Sequence, residues 1–283
     1  MTPEIKAHIL IEALPYIRRY QGETLVVKLG GEVLENERLA GLLAQDLTLL
    51  TLVGFRLVVV HGGGPQVTRA MNAAGIAPTF VAGLRVTDAA SMDVVRQVLV
   101  GSINSELTAR LNTAGLDAVG LSGVDAGLID AEPTSGPQGE DLGNVGSIGS
   151  IRPDILNRLL DGGFTPVVAS VAAGPDGFLN INADSVAGAI AAALGAVKLV
   201  YLTNVEGLYA DLGDKSSLIS ELKADELDAM LPGLSEGMRP KTIAAVHALR
   251  GGVGKVHILD GRIERAVLLE IFTDGGIGTQ VVP

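Results

Sequence analysis

The chain has 283 residues, 47% of them hydrophobic, enough to bury one large core or two modest ones. A formal net charge of -11 argues against nucleic acid or an anionic membrane as partner, because both demand a basic face. The lack of cysteine excludes disulfides, thiolate nucleophiles and thiolate metal sites, and 3% aromatics with no tryptophan disfavours stacking platforms for single strands.

Residues 2–20 place Ile5, Ile9, Ala13, Leu14 and Ile17 at helical spacing, with Pro15 expected to kink the helix. Such a helix packs either on its own domain or on a second subunit. Glu4, Lys6, Glu12, Arg18 and Arg19 interrupt it, unlike the apolar core of a signal peptide. With no apolar run near the roughly 20 residues that span a bilayer, a cytoplasmic location is expected.

Short β-branched runs bounded by glycine follow at 25–29, 57–60, 118–121, 166–169, 199–202 and 256–259, and read as buried parallel strands. Stretches with apolar residues three and four apart, at 39–51, 67–74, 89–112, 155–160 and 183–194, read as covering helices. This alternation predicts an open, doubly wound sheet, with ligands at the carboxyl ends of its strands. The segment 130–150, rich in Gly, Pro, Ser and acidic residues, reads as a hairpin or mobile surface excursion without a catalytic role. A soft boundary near 172–177 separates two lobes of one continuous sheet.

Five segments at strand ends could carry chemistry. Lys28 precedes Gly30 and Gly31, where a glycine turn admits an anion and the lysine adds charge; alone, the pattern reads more readily as a structural turn. His61-Gly62-Gly63-Gly64-Pro65 joins a strand to a helix, and three glycines favour exposed N–H groups suited to a carboxylate or phosphate. His61 itself reads as structural, because no metal-ligand spacing surrounds it. In Gly83-Leu84-Arg85-Val86-Thr87-Asp88, Thr87 or Asp88 can cap a helix, leaving Arg85 to grip a carboxylate or to pair at the surface. Asn180, Asn182 and Asp184 alternate on one side of an extended segment, either as a polar site or as a turn capped by Asp184. Last, Glu236-Gly237-Met238-Arg239-Pro240-Lys241 delivers a lysine at a helix start.

Two other patterns fail. Gly251-Gly252-Val253-Gly254-Lys255 resembles a P-loop fragment, but Val256 replaces the required Ser or Thr and Leu249 the first glycine. No Gly-x-Gly-x-x-Gly occurs, which disfavours a dinucleotide-dependent dehydrogenase.

Together and in this order, the five segments resemble the amino acid kinase family from about residue 25 to 282, and within it the members that phosphorylate N-acetyl-L-glutamate. The resemblance implies an open, mainly parallel three-layer αβα sandwich in a single domain, 1–283. It divides into an N-terminal helix extension (1–22), a substrate-binding lobe (about 23–175) and an ATP-binding lobe (about 176–283). Lys28 and Lys241 would flank the transferring phosphoryl group with Asp184 orienting both. Gly63 and Gly64 would meet the reacting carboxylate, Arg85 and Asn180 the other carboxylate, and Asn182 the amide region. Gly30, Gly31, Thr203, Asn204, Gly207 and Gly237 would border ATP, which brings Mg2+ without direct protein ligands. The acceptor is already an ionised carboxylate, so lysines and amides suffice and no general base is required.

Val124, Asn144 and Ser147 depart from the family's usual Lys, Phe and Glu, which bears on surface loops. The N-terminal extension, Gly261-Arg262 and the stretches 268–274 and 276–279 resemble arginine-inhibited, hexameric members, implying a homo-oligomer, a hexamer rather than a dimer. In those members Lys198 and Glu270 would help hold L-arginine, while the charge of Arg265 is expected to repel it. Two alternatives stand beside this reading: a kinase of the same fold with another amino-acid acceptor, and a non-catalytic metabolite sensor. Retention of Lys28, Lys241 and Asp184 together argues against the sensor.

Overall fold

The computed structural model describes residues 2–211, 213–235, 237–273 and 276–283, apart from the side chains of residues 6, 7, 9 and 10. Glu236, Asp274 and the Ile9 side chain, which belong to the sequence patterns above, lie outside that description.

Eight described strands form one sheet: β1 (Thr24–Leu29), β2 (Arg56–His61), β3 (Ala118–Ser122), β4 (Thr165–Ala169), β5 (Lys198–Thr203), β6 (Glu221–Lys223), β7 (Lys255–Asp260) and β8 (Thr279–Val282). Their order is β6-β8-β7-β5-β1-β2-β4-β3. Every neighbouring pair is parallel except β7 with β8. Successive strands leave β1 first on one side and later on the other, so a crevice opens at its carboxyl end, where Lys28 and Gly30 lie.

The alternation of strand side chains builds two cores. Val26, Val58, Val60, Leu199 and Val256 face one core, under the helices Ala183–Ala193 and Arg239–Arg250. Leu25, Val27, Leu57, Val59 and Val200 face the other, under Glu37–Leu52, Asn104–Thr113 and Ala266–Phe272. Continuous apolar runs in the sequence thus mark strands buried on both faces, the signature of three layers.

Four further strands, Ile129–Pro133, Val145–Ile151, Val171–Gly174 and Gly177–Ile181, close into a small barrel. The segment 130–150 is a hairpin, as expected, but not an excursion. Leu142 is fully buried, Thr87 N donates to Leu142 O at 2.9 Å, and Asn144 N donates to Thr87 O at 2.6 Å.

The N-terminal helix Pro3–Tyr20 runs through Pro15. Its last turns pack on the chain's own body, Tyr20 stacked on Phe55 at 5.0 Å and Tyr16 edge-on to Phe272 at 6.1 Å. Ile5, Ile11 and Leu14 remain exposed. No helix among the described residues is long and apolar enough to cross a membrane.

Candidate active site

Lys28 lies on β1, Asp184 in the first turn of Ala183–Ala193, and Lys241 in the first turn of Arg239–Arg250. The cap of the first helix is Asn182, not Asp184: Asn182 Oδ1 accepts from Asp184 N at 2.9 Å and Ser185 N at 3.1 Å. That leaves the Asp184 carboxylate for the lysines, with Lys28 Nζ 2.7 Å from Oδ1 and Lys241 Nζ 2.9 Å from Oδ2. Lys241 donates a directed hydrogen bond, whereas Lys28 makes an ion contact without that direction. Burial alone raises the Asp184 carboxyl, but the charges of Lys28 and Lys241 outweigh it and hold the group well below the ordinary carboxylate range. Burial pushes the Lys241 ammonium down, opposed by Asp184. Two cations around one carboxylate leave net positive charge, ready for an anionic group.

A cavity of about 230 Å³ is lined by Lys28 and Asp184 of this trio. Its floor is the turn after β2, where a side chain at Gly63 would place Cβ 2.2 Å from Ile103 Cδ1 and 2.9 Å from Leu99 Cδ2. Nothing lies within 4 Å of a Cβ built at Gly64, and the helix Gly64–Ala73 begins there with unpaired first-turn N–H groups available to an anion. Arg85 enters from a two-stranded hairpin, Phe80–Val81 with Leu84–Arg85, whose turn residues Ala82 and Gly83 both have positive φ, 48° and 80°. Its guanidinium donates to Gly64 O at 3.0 Å and Thr68 Oγ1 at 2.8 Å and lies 4.7 Å over the Phe80 ring. Burial pushes its pKa down, yet an arginine so placed stays cationic. Asn180 also lines the cavity; its Nδ2 donates to Thr87 Oγ1 at 3.3 Å and its N to Asn144 O at 2.8 Å. Asn144 therefore bears on the site through its backbone, rather than on a surface loop alone. Asp88, not Thr87, caps the helix that follows, accepting from Ser91 N at 2.8 Å.

His61 is fully buried, its Nε2 2.9 Å from Asn104 Nδ2 and its Nδ1 3.1 Å from Gly62 O. Burial pushes it down to about 4, so it is neutral at pH 7 and takes no place in the cavity wall. Asn104 reaches it from a helix with a π-helical stretch, Gln97–Ile103, the same stretch that brings Leu99 to the cavity. Sequence reasoning missed Phe80, Leu99 and Ser170 in this wall. Phe80 and Leu99 carry only the generic signal of apolar spacing, and Ser170 carries none.

A second cavity, of about 310 Å³, lies on the other side of the lysines. Gly30, Gly31, Thr203, Asn204, Gly237 and Lys241 line it, with Lys28 and Gly31 shared by both cavities. Asn204 Nδ2 donates to Glu32 Oε1 at 3.0 Å. Gly207 does not join them: a Cβ there would stand 2.5 Å from Thr279 Oγ1, so close packing behind the loop accounts for the glycine.

Lys198 and Glu270 come together in a third cavity, of about 480 Å³, beside Arg19 and Lys255. His257 bridges them, with Nε2 3.2 Å from Lys198 Nζ and Nδ1 2.6 Å from Glu270 Oε1. Burial pushes Lys198 down to about 8, against the pull of Glu270 and aided by Lys255 and Arg19. Arg265 lies outside this cavity, its guanidinium bound to buried Asp46 at 2.5 Å and to Gln45 Oε1 at 2.8 Å. Its charge is thus already met.

The amino acid kinase family model matches residues 23–260. An acetylglutamate kinase of Saccharopolyspora erythraea is 51% identical over 286 residues, covering 100% of this chain and 94% of that protein. Among solved structures, N-acetylglutamate synthase from Neisseria gonorrhoeae with coenzyme A and N-acetyl-glutamate superposes with a TM-score of 0.87 at 33% identity. It covers 98% of this chain, which spans only 63% of the synthase chain. The same synthase with coenzyme A and L-arginine gives a TM-score of 0.83 at 31% identity, over 98% of this chain and 65% of that one. With the three-layer sheet, the glycine turns and the match over most of its length, this chain belongs to the amino acid kinase family.

Proposed function

We propose that this chain transfers the terminal phosphoryl group of ATP to the side-chain carboxylate of N-acetyl-L-glutamate, giving N-acetyl-L-glutamyl 5-phosphate and ADP in arginine biosynthesis. The carrying observation is the junction of two cavities at Lys28, Asp184 and Lys241. The smaller cavity suits a dicarboxylate, with Arg85 and Asn180 at one end for the free carboxylate and the Gly63 and Gly64 amides at the other for the reacting one. Asn182 spends its oxygen on the helix cap, which leaves its Nδ2 for the acetamide carbonyl. The larger cavity takes ATP, with Gly30, Gly31, Thr203, Asn204 and Gly237 along it.

In the transfer, a carboxylate oxygen forms a bond to the γ-phosphorus as the bond from that phosphorus to the β–γ bridging oxygen breaks. Charge spreads over the equatorial oxygens and onto the leaving ADP, and Lys28 and Lys241 meet it from two sides. Asp184 keeps both ammonium groups aimed inward and limits their repulsion. Among the described residues no group of three His, Asp or Glu side chains is placed to cage a metal, and both Asp184 oxygens face lysines. Such a donor set suits Mg2+ carried on the nucleotide phosphates. The substrate lobe, about 23–175, and the nucleotide lobe, about 176–283, are divided accordingly, in a cytoplasmic enzyme.

ATP-dependent trapping of the acyl phosphate by hydroxylamine tests the reading. N-acetyl-L-glutamate is expected to give hydroxamate and L-glutamate none. Product from unacetylated glutamate would overturn the acceptor, and binding without product would favour a sensor.

The third cavity supports L-arginine as an effector: Glu270 offers a carboxylate to a guanidinium, and the neighbouring cations suit its carboxylate. Activity unchanged at saturating arginine would remove this. The exposed Ile5, Ile11 and Leu14 on the N-terminal helix favour docking on a second copy, in a hexamer rather than a dimer. Sedimentation of the full chain as a dimer would refute that assembly.

A further inference from the structure

Tyr201 belongs to none of the five segments, yet it meets all three members of the transfer site. On β5 it stands in register with Lys28 on β1, their Cα positions paired across the parallel ladder, so both side chains leave the same face of the sheet. Its hydroxyl donates to the Asp184 main-chain carbonyl at 3.0 Å. Lys241 Nζ lies 5.3 Å from the centre of its ring, within reach of a cation–π contact.

The phenol is out of place as packing alone. The core it enters is otherwise aliphatic, with Val26, Val58, Val186, Ile190, Val246 and Ile258 among its members. A buried hydroxyl there costs stability unless it is bonded, and a leucine would fill the position without that demand. Tyr201 is fully buried, and burial followed by the Asp184 charge keeps its phenol far above its ordinary range, so it remains a donor at every working pH. Space is made for it: a Cβ at Gly188 would stand 3.3 Å from Tyr201 Oη and 2.9 Å from Ala244 O. The phenol therefore sits beside a close approach of the helices carrying Asp184 and Lys241.

We propose that Tyr201 is a positioning residue for phosphoryl transfer. Its hydroxyl fixes the main chain at Asp184 and its ring face holds the Lys241 ammonium, so the two lysines keep the separation that the transferring group requires. This rests on the reading of Lys28, Asp184 and Lys241 as the transfer site. The groups facing Lys241 are Asp184, Lys28 and Tyr201, and only the last is changed in the test.

The experiment compares wild type, Y201F, Y201L and K241A by kcat, by KM for both substrates, by the pH profile of kcat and by thermal midpoint. Y201F keeps the ring and loses the hydroxyl; kcat is expected to fall about threefold to tenfold with both KM values within about twofold. Y201L loses both contacts; kcat is expected to fall by roughly thirtyfold or more, and its alkaline limb to move down by about one pH unit. The sign follows because removing an interaction with the ammonium lowers its pKa. Wild-type kcat in Y201F, or a loss in either variant that only tracks the folded fraction with the alkaline limb unmoved, overturns the proposal. Should Y201L not fold, the near-isosteric Y201F decides it. Full activity in K241A would overturn the transfer site itself, a failure distinguishable from that of Tyr201 alone.

Discussion

Lys241 Nζ lies 2.9 Å from Asp184 Oδ2, a contact made between the first turns of two helices that touch at Gly188. Because each side chain is buried, neither charge can turn to water if the other is removed. Asp184→Asn is therefore expected to leave the buried Lys241 ammonium unpaired and facing that of Lys28, and to destabilise the fold by about 3 kcal/mol. Turnover should fall by roughly a hundredfold or more, since the lysines lose their aim. Urea denaturation and steady-state kinetics check both, and recovery of stability without activity in Asp184→Asn with Lys241→Met would separate them. Unchanged stability in Asp184→Asn would contradict the buried pairing.

Arg85 is held by Gly64 O, Thr68 Oγ1 and the face of Phe80, a set that a lysine cannot reproduce. With its direction fixed by protein contacts, the remaining guanidinium donors are, on the proposed reading, the ones that would meet the acceptor's free carboxylate. Arg85→Lys is expected to raise the acceptor KM by about tenfold to a hundredfold while kcat changes little. A kcat loss at unchanged KM would instead place Arg85 at the transferring phosphoryl group.

The sheet was legible because its strands are apolar runs, as in Leu57–Val60, whose alternate residues feed two cores. β6 and β8 were not: Glu221–Lys223 at the sheet edge and Thr279–Val282 beside it are short strands with polar residues, and pairing rather than composition defines them. The segment 130–150 misled for a related reason. Its Gly, Pro and Ser content signals turns, but not that Leu142 and Asn144 return to Thr87. Side-chain motifs located Lys28, Arg85, Asp184 and Lys241, whereas their support by Tyr201 and Thr87 arises from strand register and long-range contacts that no local pattern encodes.

Thr87 makes that support testable. Its Oγ1 donates to Arg85 O at 2.8 Å and accepts from Asn180 Nδ2 at 3.3 Å, tying together two residues that line the same cavity, the proposed acceptor site. Thr87→Val preserves the shape and removes both bonds. The acceptor KM is expected to rise about fivefold, with ATP KM unchanged and stability reduced by roughly 1 kcal/mol. An equal rise in both KM values would mean that the barrel hairpin acts on the whole cleft rather than on Asn180.

His61 gives the fold a pH dependence of known sign. Burial pushes its imidazole down to about 4, so between pH 4 and 6.5 the unfolded chain binds a proton that the folded chain does not. Stability therefore rises with pH across that window, by about 3 kcal/mol from this residue, and is lost again as acid protonates the unfolded imidazole. His257, also pushed down chiefly by burial, adds in the same direction. His61→Gln keeps a polar partner for Asn104 but cannot titrate. Chemical denaturation at pH 5, 6 and 7 should show a positive slope in the wild type and a shallower one in His61→Gln. Equal slopes would mean that His61 is charged in the fold, in conflict with its contact to the Asn104 amide donor.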